Sequence, residues 1–94
     1  MRVLQIGVGG FGLHWVRQLI QEPAVELVGL IDVDEKALAE AAKLAKLPKK
    51  RCFATLEEAT EEVDADALIC VSPPAFHLQH ISAAVGAGLD VICE

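Results

Sequence analysis

Short apolar runs alternate along this chain with stretches in which apolar residues recur three or four positions apart, the pattern of strands alternating with helices. A first strand is predicted over about 2–7, followed at once by a glycine cluster. Beyond the glycines, Phe11, Trp15, Val16, Leu19 and Ile20 fall on one stripe of a helix, which Pro23 closes shortly after its end. Leu27-Val28-Gly29-Leu30-Ile31 is a continuous apolar run, as expected of a strand covered on both faces. Asp34 is placed to cap a second helix over about 35–47, which ends before Pro48. A short third strand is predicted at Cys52-Phe53-Ala54, and Thr55-Leu56-Glu57-Glu58 reads as a capping box that opens a short acidic helix. Ala67–Val71 makes a fourth strand. Ser72-Pro73-Pro74 ends it and opens a helix with Leu78, Ile81, Ala84 and Val85 on its inward stripe. Gly86 and Gly88 end that helix, and a fifth strand covers Leu89–Cys93. The alternation predicts an α/β fold over residues 1–94: one domain with a doubly wound parallel sheet of about five strands and helices on both faces.

Composition narrows the function classes. At 53% apolar and 23% charged, the 94 residues are globular rather than disordered and long enough for one core. A net charge of −6 argues against a general nucleic-acid binder, which would cluster Lys and Arg. The basic run Lys49-Lys50-Arg51 reads as a solvated loop. Cys52, Cys70 and Cys93 form no Cys-x-x-Cys pair, and the last two lie in apolar runs where cysteine behaves as a small hydrophobe. A reducing, cytoplasmic setting is expected. No signal peptide is visible ahead of the first strand, and no apolar run approaches the ~20 residues that span a bilayer, so no membrane partner is expected.

Gly7-Val8-Gly9-Gly10-Phe11-Gly12 places glycines at 7, 9 and 12. Alone, that spacing marks only a common turn. Here it ends a predicted strand and opens a helix, and Asp32 stands twenty residues beyond Gly12, after the second strand. That conjunction is the dinucleotide fingerprint of a Rossmann-type sheet. Gly7 permits the tight turn, Gly9 lets a diphosphate approach the backbone, and Gly12 lets the helix pack near the strand. The helix start, with Val8, Gly10 and Phe11 in the loop, offers unpaired N–H groups to the anion. Asp32, with Val33 beside it, is placed to accept from the adenosine ribose and to repel a 2′-phosphate, which predicts NAD in preference to NADP. The plainer alternatives are a tight turn without a ligand, and an Asp32 that only caps the turn into the second helix.

Ligands of open α/β sheets bind beyond the carboxyl ends of the strands. Gly7, Asp32, Ser72 and Glu94 all lie at such ends, so Val71-Ser72-Pro73 is expected to run alongside the cofactor. His77, in the first turn of the next helix, either faces this edge or packs; its location is its only support. His77 and His80 are three apart but lack a nearby third ligand, so no metal site is expected. His14 and Trp15 read as structural, Trp15 as a core residue.

With these residues placed, the chain resembles the N-terminal domain of the glucose–fructose oxidoreductase/inositol dehydrogenase/MocA (Gfo/Idh/MocA) family. The resemblance covers essentially all of the chain. It rests on Ile6-Gly7-Val8-Gly9-Gly10-Phe11-Gly12, Asp32, Asp64-Ala65-Asp66-Ala67-Leu68-Ile69, Ser72-Pro73-Pro74-Ala75-Phe76-His77 and Ala87-Gly88-Leu89-Asp90-Val91-Ile92-Cys93-Glu94. The last segment looks like the lead-in to the family's Glu-Lys-Pro motif. The resemblance implies an enzyme that moves a hydride between nicotinamide and a hydroxyl-bearing carbon of a sugar or cyclitol. It also implies a second, largely β-sheet domain that supplies most of the substrate pocket; it leaves the oligomeric state open and is compatible with a homo-oligomer of the full-length protein. The family's catalytic lysine would follow Glu94, so no catalytic residue is expected within residues 1–94, which alone would be inactive. A non-catalytic NAD-sensing module uses the same loop and acid and stands as the alternative. A methyltransferase is disfavoured by Gly12 and the Ser-Pro-Pro segment.

Overall fold

The structure, a computed structural model, describes residues 1–71, 82 and 84–93. Five strands, β1 (Arg2–Ile6), β2 (Glu26–Ile31), β3 (Cys52–Phe53), β4 (Ala67–Cys70) and β5 (Asp90–Cys93), form one sheet in the order β3-β2-β1-β4-β5. Every adjacent pair is parallel. Helices α1 (Phe11–Ile20), α2 (Glu35–Ala45) and α3 (Leu56–Glu62) connect the first four strands, and a 3-10 turn at Lys49–Arg51 precedes β3. The chain runs from β1 outward to β3 and then returns to the other side of β1 with β4. Strand order therefore reverses at β1, which opens a crevice beyond its carboxyl end.

Side chains alternate across the sheet into two cores. Val3, Leu27, Leu30, Ala67 and Ile69 pack with Val16 and Leu19 of α1 and Leu38, Ala41 and Ala42 of α2. Leu4, Ile6, Val28, Ile31, Leu68 and Cys70 pack with Leu56 and Ala59 of α3, and with Val63, Ala84 and Leu89. Burial on both faces explains why the strands read as nearly unbroken apolar runs. Burial also pushes the Cys52 thiol above its ordinary pKa, because the interior disfavours the thiolate.

The predicted caps are present. Asp34 accepts from the N–H groups of Lys36 (3.0 Å) and Ala37 (3.2 Å) at the start of α2. Lys46, at φ 58, ends that helix two residues before Pro48. Thr55 Oγ1 accepts from Glu58 N–H at 3.2 Å, while the Glu58 carboxylate takes the threonine hydroxyl at 3.3 Å instead of a backbone N–H. The apolar stripe of α1 is narrower than its periodicity suggests. Val16 and Leu19 are buried and Trp15 is half-buried, but Phe11 and Ile20 are exposed at the two ends of the helix.

One irregularity in β2 bears directly on the site. Val3 pairs with Leu27 but Leu4 pairs with Gly29, so Val28 is an extra residue, a β-bulge. Val28 sits in the α3-side core, and a Cβ on Gly29 would point the same way, meeting Leu4 Cδ2 at 2.6 Å and Phe53 Cε2 at 3.4 Å. Two consecutive positions on one face reverse the alternation downstream. Ile31 therefore faces α3, and Asp32 emerges on the side of α1 and α2. Unbroken alternation from Leu27 would have sent Asp32 to the opposite face. Arg51 Nη1 donates to Val28 O at 3.0 Å, so the basic run is not wholly solvated: its last residue holds the bulge.

Candidate functional site

The loop from Gly7 to Gly12 leaves the carboxyl end of β1 and turns into α1. Gly7 has φ 89 and donates to Ile31 O at 2.9 Å; Gly10, the residue before α1, has φ 55 and ψ −117. Both conformations favour glycine. Gly12 is required for another reason. A Cβ there would lie 2.2 Å from Gly7 O and 2.7 Å from Gly7 C, inside the backbone of the turn.

Gly9 differs from these. It is exposed, its φ is not positive, and a Cβ would meet only Ala37 Cβ at an ordinary 3.5 Å. Among the described residues, nothing demands a glycine at this position. The bare backbone there serves whatever approaches from outside. Among the described residues, no group accepts from the N–H groups of Gly9, Gly10 or Phe11, and the first turn of α1 carries no acidic side chain. Among the described residues these donors are unpaired, and with the positive end of the helix dipole they fit a diphosphate.

Asp32 stands beside this loop. Its Oδ2 accepts from Val8 N–H at 3.0 Å and its Oδ1 from Asp34 N–H at 2.9 Å. The carboxylate therefore ties the glycine loop to the turn into α2. Both sequence-level readings of Asp32 have a physical basis: it braces the turn, and it is half-exposed at the tip of the neighbouring strand. A carboxylate has about four lone-pair sites, so two backbone bonds leave acceptor capacity for sugar hydroxyls. Val33 projects beyond it, 88% exposed. Val71 follows β4 on the other flank of β1, its N–H bonded to Ile6 O at 2.8 Å. Ser72, Pro73, His77 and Glu94 lie outside the described residues.

Gln5 is a residue that the sequence did not flag. Fully buried in β1, it donates from Nε2 to Gly7 O (2.9 Å) and Gly12 O (2.7 Å), bridging the two ends of the glycine loop. The available signal was a single polar residue interrupting an apolar strand two positions before the first glycine. Asp66, from the quoted Asp-Ala-Asp segment, lies at the opposite edge of the sheet. It accepts from Arg2 N–H at 2.8 Å, and the Asp64 carbonyl accepts from Arg2 Nε at 2.9 Å. These aspartates hold strand ends together. A groove of about 340 Å³ lined by Phe11, His14, Trp15 and Gln18 is built from α1 alone and includes neither Gly9 nor Asp32. Phe11 and His14 stack there, with ring centroids 5.5 Å apart. Among the described residues, no three His, Cys, Asp or Glu side chains gather to hold a metal, and no helix is long and apolar enough to cross a membrane.

Comparisons with known proteins agree with this geometry. A family described as oxidoreductases with an NAD-binding Rossmann fold matches residues 1–94. An uncharacterized protein, y4oX, of Sinorhizobium fredii is 37% identical over 99% of this chain and 27% of its own length. Inositol 2-dehydrogenase of Agrobacterium fabrum is 34% identical over 100% of this chain and 28% of its own length. In structure, scyllo-inositol dehydrogenase from Lactobacillus casei, solved with bound NAD(H) and scyllo-inositol, superposes with a TM-score of 0.90. It is 26% identical and matches 99% of this chain and 27% of the dehydrogenase. The chain thus spans little more than a quarter of the length of these relatives. A reversed-order parallel sheet, a glycine turn with unpaired donors, an acid at the next strand tip and a full-length family match agree: this chain belongs to the Gfo/Idh/MocA oxidoreductases, as their NAD-binding Rossmann domain.

Proposed function

We propose that the loop 7–12 and Asp32 hold NAD by its diphosphate and adenosine ribose, in a dehydrogenase that oxidises a hydroxyl-bearing carbon of a cyclitol or sugar. The observation that carries the reading is Gly9: among the described residues nothing requires a glycine there, and nothing accepts from the N–H groups beside it. Val8, Gly10 and Phe11 contribute loop backbone, and Val33 and Val71 flank the adenosine and central parts of the crevice. From their places in the sequence, Ser72, Pro73, His77 and Glu94 are assigned to the nicotinamide half of the site. When bound, the cofactor supplies the hydride acceptor; this domain's residues orient it and keep its charged centre paired. The cyclitol assignment is supported by relatives named as inositol dehydrogenases, one of them solved with scyllo-inositol. Substrate recognition belongs to the part of the protein outside the quarter of those relatives that this chain spans.

Preference for NAD over NADP follows from electrostatics. A 2′-phosphate beside Asp32 would set two negative groups against each other, whereas ribose hydroxyls would donate to it. Titration calorimetry with both cofactors tests this. The wild type should bind NAD more tightly. Asp32→Ser should cost NAD charge-assisted hydrogen bonds of roughly 1.5–3 kcal/mol and narrow or invert the ratio. An unchanged ratio of dissociation constants contradicts the role. In the full-length protein, the substrate class is read by NADH formation with a panel of cyclitols and sugars; turnover confined to substrates without a secondary alcohol or hemiacetal contradicts it.

A further inference from the structure

The glycine loop is braced from inside the sheet by a group that a stable strand does not need. Gln5 is the sole polar side chain among the described buried residues, at 0% exposure. Its flanking partners are Leu30 on β2 and Ile69 on β4, both apolar and buried. Its Oε1 is buried with no hydrogen-bond partner among the described residues, an arrangement that costs stability wherever it occurs. An apolar side chain of similar size would fill the site without that cost. What the carboxamide supplies is two bonds from Nε2, to Gly7 O and Gly12 O, the first and last residues of the loop. Among the described residues, Gly7 O has no other donor. The same junction is where a Cβ on Gly12 would strike Gly7, so the carboxamide bridges a close approach between the turn after β1 and the start of α1.

We infer that Gln5 is a positioning residue for diphosphate binding. By fixing both ends of the loop, it presets the N–H groups of Gly9, Gly10 and Phe11 toward the crevice, so the anion meets donors that need no reorganisation. The inference rests on the dinucleotide reading above. It predicts a selective defect. Gln5→Met keeps an unbranched side chain of similar length and removes both donors. In titrations of the purified protein, Gln5→Met should bind NAD and ADP-ribose about tenfold more weakly while binding adenosine, which lacks the diphosphate, within about twofold of wild type. A merely structural role would weaken all three ligands together or leave all three unchanged, and either result overturns the inference. In the wild type, the Gln5 side-chain amide protons should exchange slowly and show through-bond coupling to the carbonyl carbons of Gly7 and Gly12; rapid exchange overturns the inference even where the variant does not fold. A wild type that binds no dinucleotide refutes the functional reading itself, which separates the two failures.

Discussion

Two glycines three residues apart should respond to the same substitution in opposite ways. In Gly12→Ala the new methyl would begin 2.2 Å from Gly7 O, and Cβ atoms essentially never lie within 3.0 Å of such a group. The first turn of α1 must then move from β1 by about 0.8 Å, because both partners are backbone and neither can rotate away. That movement stretches the bond from Gln5 Nε2 to Gly12 O from 2.7 Å to the edge of hydrogen-bonding range. Overpacking of about 1–3 kcal/mol and a weakened hydrogen bond of about 1 kcal/mol together give a loss of about 2–4 kcal/mol. For a domain of this size, that lowers Tm by roughly 8–32 °C. Among the described residues Gly9→Ala meets only Ala37 Cβ at 3.5 Å, and it needs no positive φ, so its stability should stay within about 0.5 kcal/mol of wild type. Its NAD affinity should nonetheless fall at least about tenfold, since the methyl occupies the path of the diphosphate. Thermal unfolding without ligand and calorimetric titration with NAD, run on both variants, read the two effects. The reasoning fails if Gly9→Ala binds NAD like the wild type, or if Gly12→Ala is as stable as the wild type.

Two further outcomes follow from the contacts around Asp32. Asp32→Ala removes the acceptor for both Val8 and Asp34 N–H, so the ligand-free protein should lose about 1–2 kcal/mol in denaturant unfolding; unchanged stability would show that those bonds carry no weight. Arg51→Met frees Val28 O at the bulge and should cost about 1 kcal/mol of stability. Because the bulge aims Asp32, the same variant should weaken NAD severalfold, and an unaltered NAD affinity would disconnect the bulge from the site.

The fold was legible because its signals are local. Apolar runs bounded by glycine and proline, and the caps at Asp34 and Thr55, each act within a few residues, and the parallel alternation leaves few topologies. The glycine loop and Asp32 were legible because their spacing reflects one strand-helix-strand unit. What the sequence concealed depends on tertiary contacts. Periodicity placed Phe11 and Ile20 on the helix stripe, but it cannot report that both stay exposed at the ends of the helix. Gln5, a polar residue in a strand, gives no sign from sequence that its amide meets Gly7 and Gly12 on one face. Gly29 carried the usual mark of a bulge inside a strand, yet only the register shows that the bulge turns Asp32 toward the loop. The Asp64 and Asp66 segment carried the family resemblance while serving the far edge of the sheet, so motif membership alone did not separate binding from bracing.

A crystal structure of the protein with NAD tests the central claim most directly. The diphosphate should lie over Gly9, with its oxygens about 2.7–3.2 Å from the N–H groups of Gly10 and Phe11, and the adenosine ribose hydroxyls should rest on Asp32. A dinucleotide bound elsewhere, or one whose ribose turns away from Asp32, would contradict the account.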